Sequence, residues 1–421
     1  MKALLIIALI ATVYGQQNRD LQYQRYPDKR GINMFETLKK NDVQFNGLNL
    51  VVGASSTLQY QALDHENGTA SYPLVELGHN FNLATADLHL DAQLANGLRM
   101  HLTTYLSSRH HTETYVKGGY FQIDRLDFID EGTLSDLMDH VTIKIGHMEI
   151  NYGDNHFRRS DNASTLYNPF VGNLILDAFN TEVAGEIYYK SEPFMFMFGL
   201  SNSKLNQDVK SKDANDIGIL AKAAFDKQIN DDMRVRIAAS LYTNSKMKSV
   251  YLYSGDRTGA RYYSVLDTVG QADDFRSGRW NPAFVEKLTA MVFNGFVKYQ
   301  GLEFFGTFET AEGGDAKVGG VWNGKTRTWN QLAAEVLYRF GMNENYYLGF
   351  RYNTASGKQK EADANEIKIN RMQFGLGWFM TDNVLAKFEY VNQDYKDFPV
   401  TDAKYYEANF SGYMLEASIM F

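Results

Sequence analysis

The sequence predicts an all-β chain that closes into a transmembrane antiparallel β-barrel of about sixteen strands. Three observations carry that expectation. The chain is rich in aromatic residues and poor in proline, with 27 Tyr and 27 Phe against 6 Pro in 421 residues. Stretches of about ten residues alternate apolar with polar or small side chains, the period of a half-buried strand. The connections between those stretches alternate short and long, as periplasmic turns and extracellular loops do in such barrels.

Aromatic side chains suit pleated surfaces and membrane interfaces, whereas proline cannot donate to a strand ladder. The mean hydropathy of −0.38 is too polar for a helical membrane bundle. A barrel averages polar because half of each strand faces a wet lumen. The absence of Cys excludes a disulfide framework, a zinc ribbon, a Cys nucleophile and a lipid-bearing Cys at the mature N-terminus. A net charge of −8 disfavours nucleic acid as a partner. The acid excess fits solvated loops.

The elements follow in chain order. Residues 1–15, MKALLIIALIATVYG, read as a signal peptide. Lys2 supplies the positive end, and Ala3 to Val13 form an apolar core of about eleven residues, too short to span a bilayer. Val13 and Gly15 suit the −3 and −1 positions of a cleavage before Gln16. Residues 16–44 are polar and are expected to form a periplasmic N-terminal segment, with the barrel over 45–421. No later run of ~18 apolar residues would hold the chain in an inner membrane. The expected location is the cell outer membrane.

Strand candidates run near 46–62, 82–95, 98–108, 115–126, 141–152, 179–190, 194–202 and 216–227. They continue near 233–246, 288–300, 302–311, 328–340, 346–356, 368–380, 383–393 and 409–421. Alternation is clearest where Met372, Phe374, Leu376 and Trp378 interleave with Arg371, Gln373, Gly375 and Gly377. Val235, Ile237, Ala239 and Leu241 likewise alternate with Arg234, Arg236, Ala238 and Ser240. Short turns fall at Asn96-Gly97, 191–193, 228–232, Gln300-Gly301, 341–345 and 381–383. Long polar loops fall near 107–115, 203–215, 247–287, 311–327, 357–367 and 394–408. Aromatics at strand ends, Tyr346 with Tyr347, Trp378 with Phe379 and Tyr405 with Tyr406, fit interfacial girdles. The last strand alternates from Tyr413 through Leu415 and Ile419 to a terminal Phe421. It resembles the recognition strand read by the outer-membrane barrel-assembly machinery. A closed barrel of this size is expected to enclose an aqueous channel.

One stretch is unlike ordinary strand or turn sequence: Ile145 to Asn162, with Gly153-Asp154-Asn155-His156-Phe157-Arg158-Arg159-Ser160-Asp161 at its centre. With Asn168-Pro169-Phe170, Gly172-Asn173, Asp177, Thr181-Glu182 and Lys117-Gly118-Gly119-Tyr120, it resembles a family of outer-membrane porin-like proteins grouped with the phosphate-selective porins. The resemblance covers most of the mature chain and implies a passive channel without cofactor. Together with the barrel's size it also implies a homotrimer. Family members line the pore with many Arg and Lys. Here the inward positions are mixed. Arg234, Arg236, Arg339, Arg351, Arg371 and Lys387 are the basic pore-lining candidates, but Asp87, Asp91, Glu335 and Glu389 are acidic.

The segment carrying Asp154, His156, Arg158, Arg159 and Asp161 has three readings. Folded inward, its charges make a pore constriction that sets a local field. Paired with one another, Arg and Asp make a latch that pins the loop to the wall. The third reading is an external surface loop. No G-x-S-x-G, H-E-x-x-H or P-loop is present, so no catalytic residue is expected. His110-His111-x-Glu113 would suit a loop tip better than a metal site. Gly375 and Gly377 are expected to relieve crowding or curvature in a strand.

The residues therefore favour a passive diffusion channel for small polar or charged solutes, with membrane lipid and the assembly machinery as further partners. The rival is a binding or structural barrel that uses loop 247–287, rich in Tyr and Arg, as a partner surface.

Overall fold

The computed structural model describes residues 19–421 apart from 38, 41, 108–113, 161–163, 205–215, 256–261 and 273. The leader 1–15, His110, His111, Glu113 and Asp161 lie outside the described residues.

Among the described residues, eighteen strands follow in chain order. The first nine are β1 (Asn49–Glu66), β2 (Asn80–Ala95), β3 (Leu98–Ser107), β4 (Thr114–Ile123), β5 (Val141–Glu149), β6 (Thr181–Ser191), β7 (Phe194–Ser201), β8 (Gly218–Asn230) and β9 (Met233–Met247). The rest are β10 (Val285–Tyr299), β11 (Leu302–Gly314), β12 (Lys317–Val318), β13 (Val321–Trp322), β14 (Thr326–Phe340), β15 (Tyr346–Gly357), β16 (Ile367–Thr381), β17 (Val384–Lys396) and β18 (Asn409–Met420). β12 and β13 form a small separate hairpin within one loop, and the other sixteen close into one barrel. Each barrel strand pairs antiparallel with its sequence neighbour, and β18 returns to β1, with Tyr60 opposite Leu415. The terminal residue extends that seam: Phe421 N–H donates to Ala54 and Ala54 N–H to Phe421, at 3.0 and 2.9 Å.

Period two divides each strand between lipid and lumen. On β16, Phe374, Leu376 and Trp378 are exposed on the outer face, while Arg371, Gln373 and Phe379 are buried inside. The outer rings of Tyr338, Phe340, Tyr346 and Trp378 stack in a row, with centroids 5.9, 5.7 and 6.3 Å apart. This row lies at the short-turn end of β14–β16 and matches the expected girdle. Tyr347 and Phe379, expected beside it, instead point inward and are buried. Their positions are odd on strands whose even positions face lipid. Tyr405 also departs from the girdle, because it packs on Trp280 and Tyr395 within a loop cluster.

The aqueous channel expected from strand number is narrowed from inside. The described residues of two long loops, 150–180 and 248–284, fold inward and pack on the wall. Val171, Ile175, Leu252, Tyr253 and Tyr262 join inward side chains such as Tyr242, Leu288, Trp329 and Phe410 in one apolar cluster. The wall is shaped for them. A Cβ on Gly375 would lie 3.1 Å from the Phe170 ring, and one on Gly377 would lie 2.0 Å from the Tyr347 ring. These glycines make room for aromatic rings, as their place in a strand suggested. β7 reflects the same packing: Met195 and Met197 are buried inside, and Phe194, Phe196 and Phe198 are exposed outside. A strand apolar on both faces is one covered on both.

Candidate functional site: a lumenal cavity beside a latched loop

Loop 150–180 is attached along its length by polar groups from the wall. Asp154 meets Arg236 of β9 and Lys222 of β8, the latter at 2.8 Å. Main-chain N–H groups of Val171, Ile175 and Leu176 donate to Glu389, Asn353 and Gln331 at 2.8, 2.7 and 2.8 Å. Lys387 Nζ donates to the carbonyls of Thr165, Asn168 and Phe170. Irregular backbone inside a barrel has few water partners, so the wall supplies them.

The second inward loop shares these anchors. Tyr262 O–H donates to Glu389 at 2.7 Å. Arg371 donates to the carbonyls of Asn173 and Gly278, one from each loop. The main-chain N–H of Trp280 donates to Ile175 O at 2.7 Å. The aromatic loop proposed as a partner surface thus spends Tyr253, Tyr262 and Tyr263 on burial inside the barrel. Its Arg257 and Arg261 lie outside the described residues.

The five expected constriction residues separate. Asp154, Arg158 and Arg159 are buried. Arg159 pairs with Asp177 at 2.6 Å and lies over the Phe179 ring. Arg158 reaches Glu335 at 3.4 Å and Glu303 at 3.8 Å, and donates to Asn33. Burial alone would raise the Asp154 carboxyl, but the Lys222 and Arg236 charges hold it below its ordinary value. His156 borders a cavity of about 270 Å³, held between Asn151 at 2.9 Å and Glu149 at 3.3 Å, while Arg158 and Arg159 border a smaller one of about 30 Å³. Asp161 is outside the described residues.

The six basic pore-lining candidates all face the lumen, yet most are engaged by the loops. Arg236 also pairs with Glu36, and Arg351 pairs with Glu335 while donating to Gly172 O. Lys387 pairs with Glu416, and Arg371 clamps the two loops as above. Arg234 and Arg339, paired with Asp226 and Glu303, border a vestibule of about 580 Å³ at the short-turn mouth. Of the other four, Arg236, Arg371 and Lys387 are engaged by the inward segments, and Arg351 also borders the small cavity beside Arg158 and Arg159.

A further cavity, about 270 Å³, lies against β1–β6. Its wall holds a linked set that sequence reasoning missed apart from Asp91. Asp91 binds His101 Nδ1 at 2.8 Å and Arg99 at 3.1 Å. His89 sits between Ser55 and Thr103 at 2.9 and 3.1 Å, and its ring stacks on His101. Lys144 lies 4.5 Å from the Tyr120 ring centre, and Lys190 donates to Thr37 O at 2.7 Å. The alternation Asp87-x-His89-x-Asp91 was the available signal, since i and i+2 share a strand face. Among the described residues, no group of His, Asp and Glu is arranged to hold a metal ion.

No family model and no curated protein matches the chain. Solved structures do. A trimer form of the outer membrane protein OmpT of Vibrio cholerae is similar at TM-score 0.51 and 10% identity, over 89% of this chain and 100% of that one. An anion-selective porin from Comamonas acidovorans gives TM-score 0.51 and 9% identity over 89% and 100%. The outer membrane channel DcaP of Acinetobacter baumannii gives 0.50 and 11% over 89% and 98%. The likeness is one of fold: the chain has the closed barrel architecture of outer-membrane porins and channels.

Proposed function

We propose that this protein is an outer-membrane porin in which small polar or charged solutes diffuse passively along the β1–β6 wall. The observation that carries the reading is the cavity there, bordered by His101, Tyr120, Lys144 and His156, while the described residues of loops 150–180 and 248–284 pack against the β7–β18 side. The process needs no cofactor and no catalytic group. Selection comes from width and from fixed charges in a low-dielectric enclosure. Phosphate selectivity has no support in this cavity, whose charges are mixed.

In this reading Asp154, Arg158 and Arg159 form the latch, and His156 is the member of that segment on the solute's path. The leader 1–15 directs export and the Phe421 strand engages the assembly machinery. A homotrimer is the proposed assembly, in keeping with the trimer form of the OmpT neighbour. Mass in mild detergent checks it, and a monomer alone removes it.

Planar-bilayer recording tests the function. Discrete ohmic steps are expected, with conductance below that of an open sixteen-stranded pore. The packed β7–β18 half favours one second reading, a sealed barrel that serves as a structural or binding partner. Silence in bilayers of a correctly folded barrel would select it.

A further inference from the structure

The segment ahead of β1 is irregular, yet it is anchored as firmly as the loops. It starts at the β1–β18 seam, where Arg19 donates to Val52 O. Gln22 then bonds Gln93 and Asn96 at the β2–β3 turn. The chain crosses the mouth beneath Tyr167, whose ring centre lies 3.7 Å from the Arg25 guanidinium. Lys29 N–H donates to Asp382 O at the β16–β17 turn. From there the chain follows the wall back. Asn33 bonds Glu303 of β11 at 2.7 Å, Glu36 pairs with Arg236 and Lys222, and Lys39 pairs with Asp124 beyond β4. Gln22 Nε2 meets Val43 O, closing the circuit.

Two kinds of anchor fix the return arm. Phe35 packs edge-on against Phe157 and Phe296, with centroids at 5.8 and 5.6 Å. Glu36 is buried, and the Arg236 and Lys222 charges outweigh the burial that would raise it, holding it well below the ordinary carboxylate range. The lumenal cavity touches both arms of the circuit: Tyr23, Gln24 and Arg25 on the crossing arm, and Phe35, Glu36 and Thr37 on the returning one.

We propose that the described residues of segment 22–39 form a fixed inner strap that sets the width, and through Arg25 the local charge, of the passage at its short-turn end. The proposal rests on the passage reading above. It moves the specificity-determining element from the loop carrying Arg158 and Arg159 to the segment expected to be a periplasmic lead-in. A strap pinned by buried ion pairs and ring contacts acts as a rim and not as a swinging gate, because releasing Glu36 would leave buried charges uncompensated.

The chain has no cysteine, so Gln24→Cys introduces a single thiol on the crossing arm. The folded variant is incorporated in a planar bilayer and treated with a charged methanethiosulfonate reagent. Conductance is expected to fall by about twofold or more as the adduct narrows the rim, and to recover with dithiothreitol. Asn365→Cys, on an exposed outer loop, is the control and is expected not to respond. Deleting residues 20–40 is expected to raise conductance. Unchanged conductance after complete modification of Gln24→Cys, or a thiol that the reagent cannot reach, overturns the strap. An unmodified protein silent in bilayers overturns the passage reading itself, and does so before any reagent is added.

Discussion

Arg236 grips Asp154 bidentately: Nε meets Oδ2 and Nη2 meets Oδ1, each at 2.8 Å. The same guanidinium holds Glu36 at 2.7 Å. One side chain of β9 thus joins the barrel wall, the inward loop and the N-terminal segment. Planar bidentate geometry is what arginine offers and lysine does not.

Asp154→Ala removes one acid from this cluster and leaves Arg236 and Lys222 to share Glu36. Breaking a buried pair costs about 3 kcal/mol or more. The expected outcome is a lower thermal transition in detergent and noisier current, with the barrel still formed. A variant as stable as the parent would contradict the latch.

Replacing Arg158 and Arg159 together by Ala separates latch from constriction. Both guanidinium groups are buried against carboxylates, so the double variant is expected to lose stability with little change in selectivity. Reversal potentials in asymmetric salt measure this. A large shift toward cations would restore the constriction reading.

The strap has a pH dependence of defined sign. Glu36 is held well below its ordinary value of 4.5 by Arg236 and Lys222, and Asp154 is lowered in the same cluster. A carboxyl depressed in the folded state contributes stability above its unfolded pKa and loses it as pH falls through the folded one. The stability that these two carboxyls contribute is therefore expected to hold from neutral pH to about 4.5. It should fall only below that, as the strap loosens. A midpoint near pH 6 would exclude Glu36 as the anchor.

Deleting Phe421 removes the last rung of the β1–β18 seam, where Phe421 and Ala54 exchange main-chain bonds. Slower assembly and greater loss to periplasmic proteases are expected. Heat-modifiable migration on gels reports the folded fraction. Unchanged levels would remove the assembly-signal reading.

The barrel was legible because lipid imposes a strict rule on the outer face. Met372, Phe374, Leu376 and Trp378 had to alternate, and the turns at Asn96-Gly97 and Gln300-Gly301 had to be short. The inner face obeys no such rule, since a side chain there can meet water, a loop or a strap. Arg371 faces inward, yet nothing local in the sequence says that it grips two loop carbonyls. The Asp154 segment was legible as unusual, but its partners Arg236 and Lys222 lie far along the chain and carry no local pattern. Met195 and Met197 were the overlooked clue, because an inner face of thioethers is poor lining for open water.

The circuit of the N-terminal segment has a kinetic consequence. Lys29 bonds Asn345, 316 residues later, and its main-chain bond to Asp382 reaches a turn made later still. The mouth that the segment lines does not exist until β18 meets β1. The segment precedes every strand and must stay undocked throughout synthesis, transit and strand pairing, and the loop-closure cost of docking falls at the end. Refolding should therefore pass through a closed barrel with its N-terminal region still open to protease. Trimming at Arg19–Lys40 should cease only after the heat-modifiable form has appeared.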